Sequence, residues 1–360
     1  MIEQTVESEK DVYLNSRAKK FSVLALLAVA LVIVTVLACT IGTGYDFAYV
    51  FKVIWDHITG TSYVPASSEW WADYYIWNNV MPEILMALIA GAGLSIAGAV
   101  MQSIMENPLA DAYTTGISSG ACLGAVSAMI MGFGFATAAS GMGVILNAFV
   151  GALIPAVVII LLTRYIGNSP ATMILVGSAL SFFFNALMTL LMVTASAETL
   201  QDAYLWQIGS VTKADWEDIP LMIVSVAVSS VLVQIVASKL NVLSLGENTA
   251  KSLGVDVSQF RMLCLILISV LVASRISCTG LIGFIGLVAP HIARTLMGSD
   301  NRFVIPGSII LGSLILVAAD LVSRLLYSYG TVPIGVVMSF VGAPVFLYLI
   351  ISKKTRRSIY

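Results

Sequence analysis

Charge is scarce in this chain of 360 residues: 11% are Asp, Glu, Lys or Arg, against 59% hydrophobic. A soluble globular domain carries about 25% charged residues, so a polar shell around an apolar core is excluded. Histidine is scarcer still, with only His57 and His291, and the four cysteines (Cys39, Cys122, Cys264, Cys278) are scattered without any CxxC. These shortages argue against a disulfide framework and a zinc site and leave the cysteines as small buried hydrophobes. His291, beside Pro290, has no second ligand near it in sequence and reads as a structural histidine at a helix end. There is no P-loop, no GxGxxG and no pair of carboxylates within a span, so the chain carries no visible means of hydrolysing ATP or of covalent chemistry. If it moves a solute uphill, an ion gradient or a partner must supply the energy.

What the chain has in abundance is long apolar runs. Ten lie between polar breaks, at 21–41, 83–105, 114–132, 142–163, 171–193, 220–238, 261–277, 282–297, 303–323 and 333–352. A helix rising about 1.5 Å per residue needs about 20 residues to cross about 30 Å of hydrocarbon. The fold expected is therefore all-α and polytopic, with about ten transmembrane helices. The organisation expected is a polar tail at 1–20, one membrane domain at 21–352 and a basic tail at 353–360. Arg17, Lys19 and Lys20 precede the first run as in a signal peptide, but its length and the lack of a small-residue cleavage site argue for a span. The lipoprotein-like VLAC at 36–39 is weakened by the bulky Leu37 and by the spans that follow.

With both termini in the cytoplasm, Lys52, Lys213, Arg275 and Arg324 fall on outer segments and the other 14 of the 18 Lys and Arg on inner ones. That is the positive-inside bias of a multi-pass protein of the cell membrane. The outer segment 42–82 carries Trp55, Trp70, Trp71, Tyr74, Tyr75 and Trp77. It fits an interfacial aromatic belt, or else a contact surface for an external partner. A second outer segment, 195–219, is long enough for a short helix lying near the surface.

Three stretches interrupt the apolar pattern. In MENPLADAYTTGISSGACLG (105–124), Pro108 removes a backbone donor and must stop the preceding helix. Irregular backbone at membrane depth is tolerated only inside protein or beside a water-filled cavity. Gly116, Gly120 and Gly124 then fall on one helix face, a spacing that allows close helix approach. A tight inter-helix turn with close packing is the plainer reading. In LGENTAKSLGVDVSQF (245–260), residues 247–253 can form a short helix with acid at its start and Gly254 as a left-handed cap. Ala250 and Leu253 are expected on one face, which a soluble motor could grip. The third stretch, GLIGFIGLVAPHIARTLMGSDNRFVIPGS (280–308), breaks its apolar run with glycines and Pro290 before a basic turn.

Together with VPIGVVMSFVGAPVFLYLI (332–350), these stretches resemble the FecCD/vitamin B12 permease family, from about residue 81 to 351. Its members are the membrane subunits of ABC importers for iron–siderophores, haem and cobalamin. The resemblance implies a type II importer-like homodimer with a path on its two-fold axis. It also implies two ATPase subunits below, an extracytoplasmic solute-binding protein above, and membrane lipid around the spans. No nucleic acid and no cofactor of the chain's own are implied, ATP and Mg being used by the ATPase. Asn107, Pro108 and Leu109 would narrow the cytoplasmic mouth, and Ser169, Pro170 and Ala171 would add a second constriction. The segment with Glu247, Ala250, Lys251, Leu253 and Gly254 would enter the ATPase groove. Asn185 and Met192 are candidates to line the path.

Two departures stand out. Members often read Arg-x-Pro-Arg where this chain has Val80-Met81-Pro82-Glu83, and Ala112 replaces a common proline. Glu83 and Arg324 are thus the expected docking residues on an outer face with ten acids against four bases, although Glu83 could instead cap the second helix. A cation-coupled secondary transporter is the competing function, and it would require ionisable residues near mid-membrane. Asp320 is the one charge read as lying well inside a span, and Arg324 is placed to neutralise it at i,i+4.

Overall fold

A chain without Gly or Pro before position 42 has nothing to stop a helix, and the first element runs unbroken from the polar tail through the first apolar run. In the computed structural model, which describes residues 2–132, 141–167, 169–326 and 332–357, this is α1 (Ile2–Thr40). Helix α1 thus runs from the polar tail into the first apolar run without a break. The end of the basic tail, 358–360, lies outside the described residues.

Segment 42–82 holds α2 (Phe47–Ile58) and α3 (Ser68–Tyr75), followed by one π-helical turn (Ile76–Val80) that leads directly into α4 (Met81–Ile104). The wide turn has a local cause. Pro82 has no N–H to donate one turn back and its ring crowds that carbonyl, and the turn before it relaxes to an i→i−5 bond from Met81 N to Ile76 O. After the Pro108 break come a 3₁₀ turn (Ala112–Thr115), α5 (Ile117–Met131), α6 (Gly141–Ile166) and α7 (Pro170–Val193). Then follow α8 (Ala197–Ile208), α9 (Ile219–Leu243), the short α10 (Glu247–Ser252), α11 (Val257–Thr279), α12 (Ile285–Met297), α13 (Asn301–Leu325) and α14 (Ile334–Arg357). Among the described residues, seven helices are long and apolar enough to span, and three shorter apolar segments (Ile117–Met131, Ile285–Met297, Ile334–Tyr348) match the other three of the ten sequence runs. The chain is an all-α, multi-pass membrane protein.

The centre of the bundle is α4, buried along nearly its whole length by α9, α11, α12 and α13. Lipid tails are as apolar as leucine, so burial alone gives little drive for helices to associate in a bilayer, and close packing must supply it. The sequence of α4, with Gly91, Gly93, Gly98 and several alanines, provides that closeness. A Cβ added to Gly91 would overlap the carbonyl of Gly312 in α13, and one added to Gly312 would overlap that of Gly91. Gly98 meets the Gly286 backbone of α12 in the same way. In α5, Gly120 and Gly124 press against Gly151 and Asn147 of α6. Gly116 does not share that face: it is the left-handed link (φ +82°) between the 3₁₀ turn and α5 and abuts Gly177 of α7.

Replacing Gly312 with Val should therefore destabilise the folded chain by about 3 kcal/mol, as overpacking does. Thermal unfolding in detergent checks this. Gly141→Ala, at a position with open space around it, should change the midpoint little.

Candidate functional site

A helix that stops inside protein leaves its last carbonyls to be satisfied. At the end of α4, Glu106 N bonds Ser103 O (3.3 Å) and Asn107 N bonds Gln102 O (3.1 Å). This is the reversed pair of a Schellman turn, with Glu106 in the left-handed position (φ +50°) where glycine is usual. Asn107 Oδ1 then accepts from Leu109 N at 2.9 Å, so the NPL segment is a bonded turn. Pro108 and Leu109 are exposed, Leu109 at 47%. Asp111 is buried and caps the 3₁₀ turn by accepting from Thr114 N at 3.1 Å. Removal from water pushes its carboxyl up to about 6, against the lowering effect of the Thr114 and Tyr113 amides.

The second expected constriction begins α7. Ser169 accepts from Thr172 N at 3.1 Å, Pro170 fills the first helical position, where no N–H is needed, and Ala171 is exposed. Gly177, two turns on, lies against the backbone of Thr114 and Thr115, which brings the two segments to one end of the bundle. Farther along α7, Asn185 is exposed and Met192 half-buried.

The short helix forms where expected but is smaller. Gly254 N bonds Lys251 O, Val255 N bonds Ala250 O (both 3.0 Å), and Gly254 has φ +82°, a second Schellman turn. Leu253 is the residue after the last helical one, so the shared face expected for Ala250 and Leu253 does not exist. Ala250 is wholly buried among residues of α9 and α11, whereas Leu253 is 61% exposed. Glu247 is bridged to Lys251 at 2.8 Å. Its carboxyl is held below the ordinary range first by that bond and then, against burial, by Arg261. An open cleft of about 410 Å³ runs beside the helix, lined by Glu247, Lys251, Gly254 and Asp256 among others.

Sequence reasoning missed the residues that hold these parts together. Arg261, on the first turns of α11, is wholly buried. Its Nε donates to Ile104 O at 2.9 Å, Nη1 to Glu247 at 3.4 Å and Nη2 to Glu106 at 3.4 Å. Arg294 of α12 donates to Gln102 Oε1 and to Ala99 O of the same α4 end. Reading arginines as loop markers hid both. The same habit misplaced Arg275, which lies wholly buried inside α11 and donates to Met222 O and Ser225 of α9.

The other end of the bundle, where α8 lies, corrects a further expectation. Glu83 is only 7% exposed and sits beside Asp320 and Arg324. The side chain of Arg324 is 10% exposed; it pairs with Asp320 at 2.5 Å and donates to Ala38 O at 2.9 Å. The i,i+4 pairing of Asp320 with Arg324 is present. Neither Glu83 nor Arg324, however, offers a docking group to the outside, because α4, α13 and α1 close over the three charges. Exposed at this end are Trp55, Trp71 and Tyr74. His57 bonds Asp73 at 2.8 Å and stacks on Trp77, which stacks on Trp216. A hollow of about 360 Å³ lies between α8, the segment before α12 and α14, lined by residues including Gln207, Leu281, Gly335 and Phe340.

A profile of the FecCD transport family matches residues 23–352. The chain belongs to the FecCD transport family. Among its FecCD-like relatives, the hemin transport system permease protein of Yersinia pestis is 31% identical over 346 residues, covering 96% of this chain and all of that one. The cobalamin import system permease protein of Halobacterium salinarum is 36% identical over 277 residues, 77% of this chain and 73% of that one. A solved structure assigned to the metal-chelate type of ABC transporter, in an inward-facing conformation, superposes with a TM-score of 0.79 at 30% identity, covering 92% of this chain and 99% of the other. The sequence resemblance to this family is thereby confirmed.

Asp111 generates a pH signature. Its folded-state pKa lies near 6, above the ordinary 3.8. Its contribution to stability is therefore fully present below about pH 4 and is lost as pH rises through 6. Thermal midpoints between pH 4 and 7 should show this component, and Asp111→Asn should remove it.

Proposed function

We propose that this FecCD chain is the membrane-spanning subunit of an ATP-driven ABC importer in the cell membrane. Its cargo is an iron complex (siderophore or haem) or cobalamin, delivered by an extracytoplasmic solute-binding protein. Two copies form the path, and two separate ATPase subunits bind the end that carries α10 and supply the energy from ATP and Mg. The observation that carries this reading is the juxtaposition of an exposed, proline-broken loop with a capped, partly exposed short helix at one end of an otherwise apolar bundle.

In this reading Asn107, Pro108 and Leu109 close the mouth against the partner copy, with Ser169, Pro170 and Ala171 as a second ring. Glu247, Lys251, Leu253 and Gly254 face the ATPase, while Ala250 seats the helix on its own subunit. An amide exposed in the middle of a membrane helix is costly against lipid, which supports placing Asn185 on the path, with Met192 a further two turns along. The buried charges Glu83, Asp320, Arg324, Arg275, Arg261 and Arg294 lie toward helix ends beside opposite charges or backbone carbonyls, which gives a cation-coupled carrier no support. Docking of the binding protein falls to the exposed aromatic and acidic surface of α2, α3 and α8, since Glu83 and Arg324 are enclosed.

Uptake of labelled ferric hydroxamate siderophore, haem and cobalamin into cells expressing the complete transporter tests the cargo. One of the three should accumulate in an ATP-dependent way, and accumulation of none overturns the assignment. Leu253→Asp should place an unpaired carboxylate in the ATPase interface at a cost of about 3 kcal/mol. Co-purification of the ATPase should fall roughly a hundredfold, with no change in the permease's own thermal midpoint.

A further inference from the structure

We propose that Arg261 is a positioning residue that couples α10 to the loop at Asn107–Leu109, gripping Glu247 with one arm of its guanidinium and Glu106 with the other. The proposal rests on the reading of α10 as the ATPase contact and of the loop as the inner constriction.

The geometry is that of a fork with a fixed stem. Nε is anchored at 2.9 Å on Ile104 O, the last carbonyl of α4, while the two terminal nitrogens each stand 3.4 Å from a carboxylate on a different element. A guanidinium is planar, so its two arms cannot be re-aimed independently. The arginine side chain has no exposure, whereas Glu106 and Glu247 are about one-third exposed, at 35% and 36%. The charge is therefore fixed and dry, and its two partners are the parts free to move.

Each partner carries a mark of this arrangement. Glu106 occupies φ +50°, a conformation that glycine adopts without penalty and that is unfavourable for residues with a Cβ. A turn alone would be better served by glycine; the carboxylate gains only by reaching Arg261. It is also the immediate neighbour of Asn107. Glu247 is shared, at 2.8 Å from the exposed Lys251 and at 3.4 Å from Arg261. Any surface that takes hold of Lys251 or shifts the first turn of α10 changes how much of that carboxylate is left for the arginine. Removing one partner from a buried charge is strongly unfavourable. A displacement of Glu247 therefore shifts the compensation of Arg261 toward Glu106, and the loop one residue away follows.

The test uses the complete transporter in lipid nanodiscs, with Leu109→Cys in each copy as the reporter and disulfide yield measured without nucleotide and with ATP plus vanadate. The parent complex should give different yields in the two states. Glu106→Gln and Glu106→Gly should each reduce that difference at least threefold while the ATPase still co-purifies. The Gly variant relaxes the backbone, so strain at position 106 cannot account for its loss, and thermal midpoints of both variants control for the lost ion pair. Glu247→Gln should act similarly, and the Glu106→Gln/Glu247→Gln double variant should be no worse than either single one, because both acids act through one fork. A purely structural role for Arg261 would instead lower thermal midpoints and leave the nucleotide response in place. Intact responses in the Glu106 variants, or losses that add in the double variant, overturn the proposal alone. If the parent complex shows no nucleotide response at position 109, the reading of α10 and the loop has failed and the strut falls with it.

Discussion

The carbonyls at the end of α4 need donors in a place where water is scarce, and the structure around them is arranged to supply those donors. Met101 O receives Met105 N, Gln102 O receives Asn107 N, Ser103 O receives Glu106 N, and Ile104 O receives Arg261 Nε. One turn earlier, Ala99 O is met by Arg294. Nearly all buried backbone polar groups are paired in native proteins, and in hydrocarbon the penalty for failing is larger. Two of these donors come from α11 and α12, more than 150 residues away in sequence. The central helix can therefore stop where it does only if the C-terminal half of the bundle is already packed against it.

The same requirement explains what could and could not be read from the residues. The bilayer imposes one length on every crossing, so among the described residues seven of the ten apolar runs fall on helices long enough to span and the other three on shorter apolar helices. Pro108 and Gly254 act through their own backbone chemistry, so the break after α4 and the left-handed cap of α10 were legible locally. Arginine burial was not, because a guanidinium goes inside only when distant carbonyls and carboxylates converge on it, and nothing near Arg261, Arg275 or Arg294 announces that. The shared face of Ala250 and Leu253 failed for a geometric reason. A spacing of three places two residues together only while the helix lasts, and α10 ends at Ser252. Glu83 was misread because its burial depends on distant helices that place Asp320 and Arg324 beside it, and nothing local to residue 83 announces that.

The two ends of the molecule solve the problem of charge differently. At the α10 end, buried arginines meet backbone carbonyls and partly exposed acids, so pairing is open to change from outside. At the α8 end, Glu83, Asp320 and Arg324 are shut between helices, and the surface is left to aromatic rings, uncharged amides and exposed acids such as Glu69. A surface of that kind favours broad, adaptable contacts over a few fixed ion pairs, because tryptophan and tyrosine contribute large areas with few torsions to freeze.

The glycine contacts of α4 have a mechanical consequence. Where Gly91 faces Gly312 and Gly98 faces Gly286, backbone lies on backbone with no side chain between them, and sliding by a fraction of a turn would drive flanking residues into the opposite helix. Such a seam is stiff. Helices α4, α12 and α13 must travel together as one plank, and any alternation between the two faces of the membrane has to be carried by elements that meet through deformable side chains. Helix α7, half-buried or exposed along nearly all of its length, packs on α5 and α6 rather than on that plank.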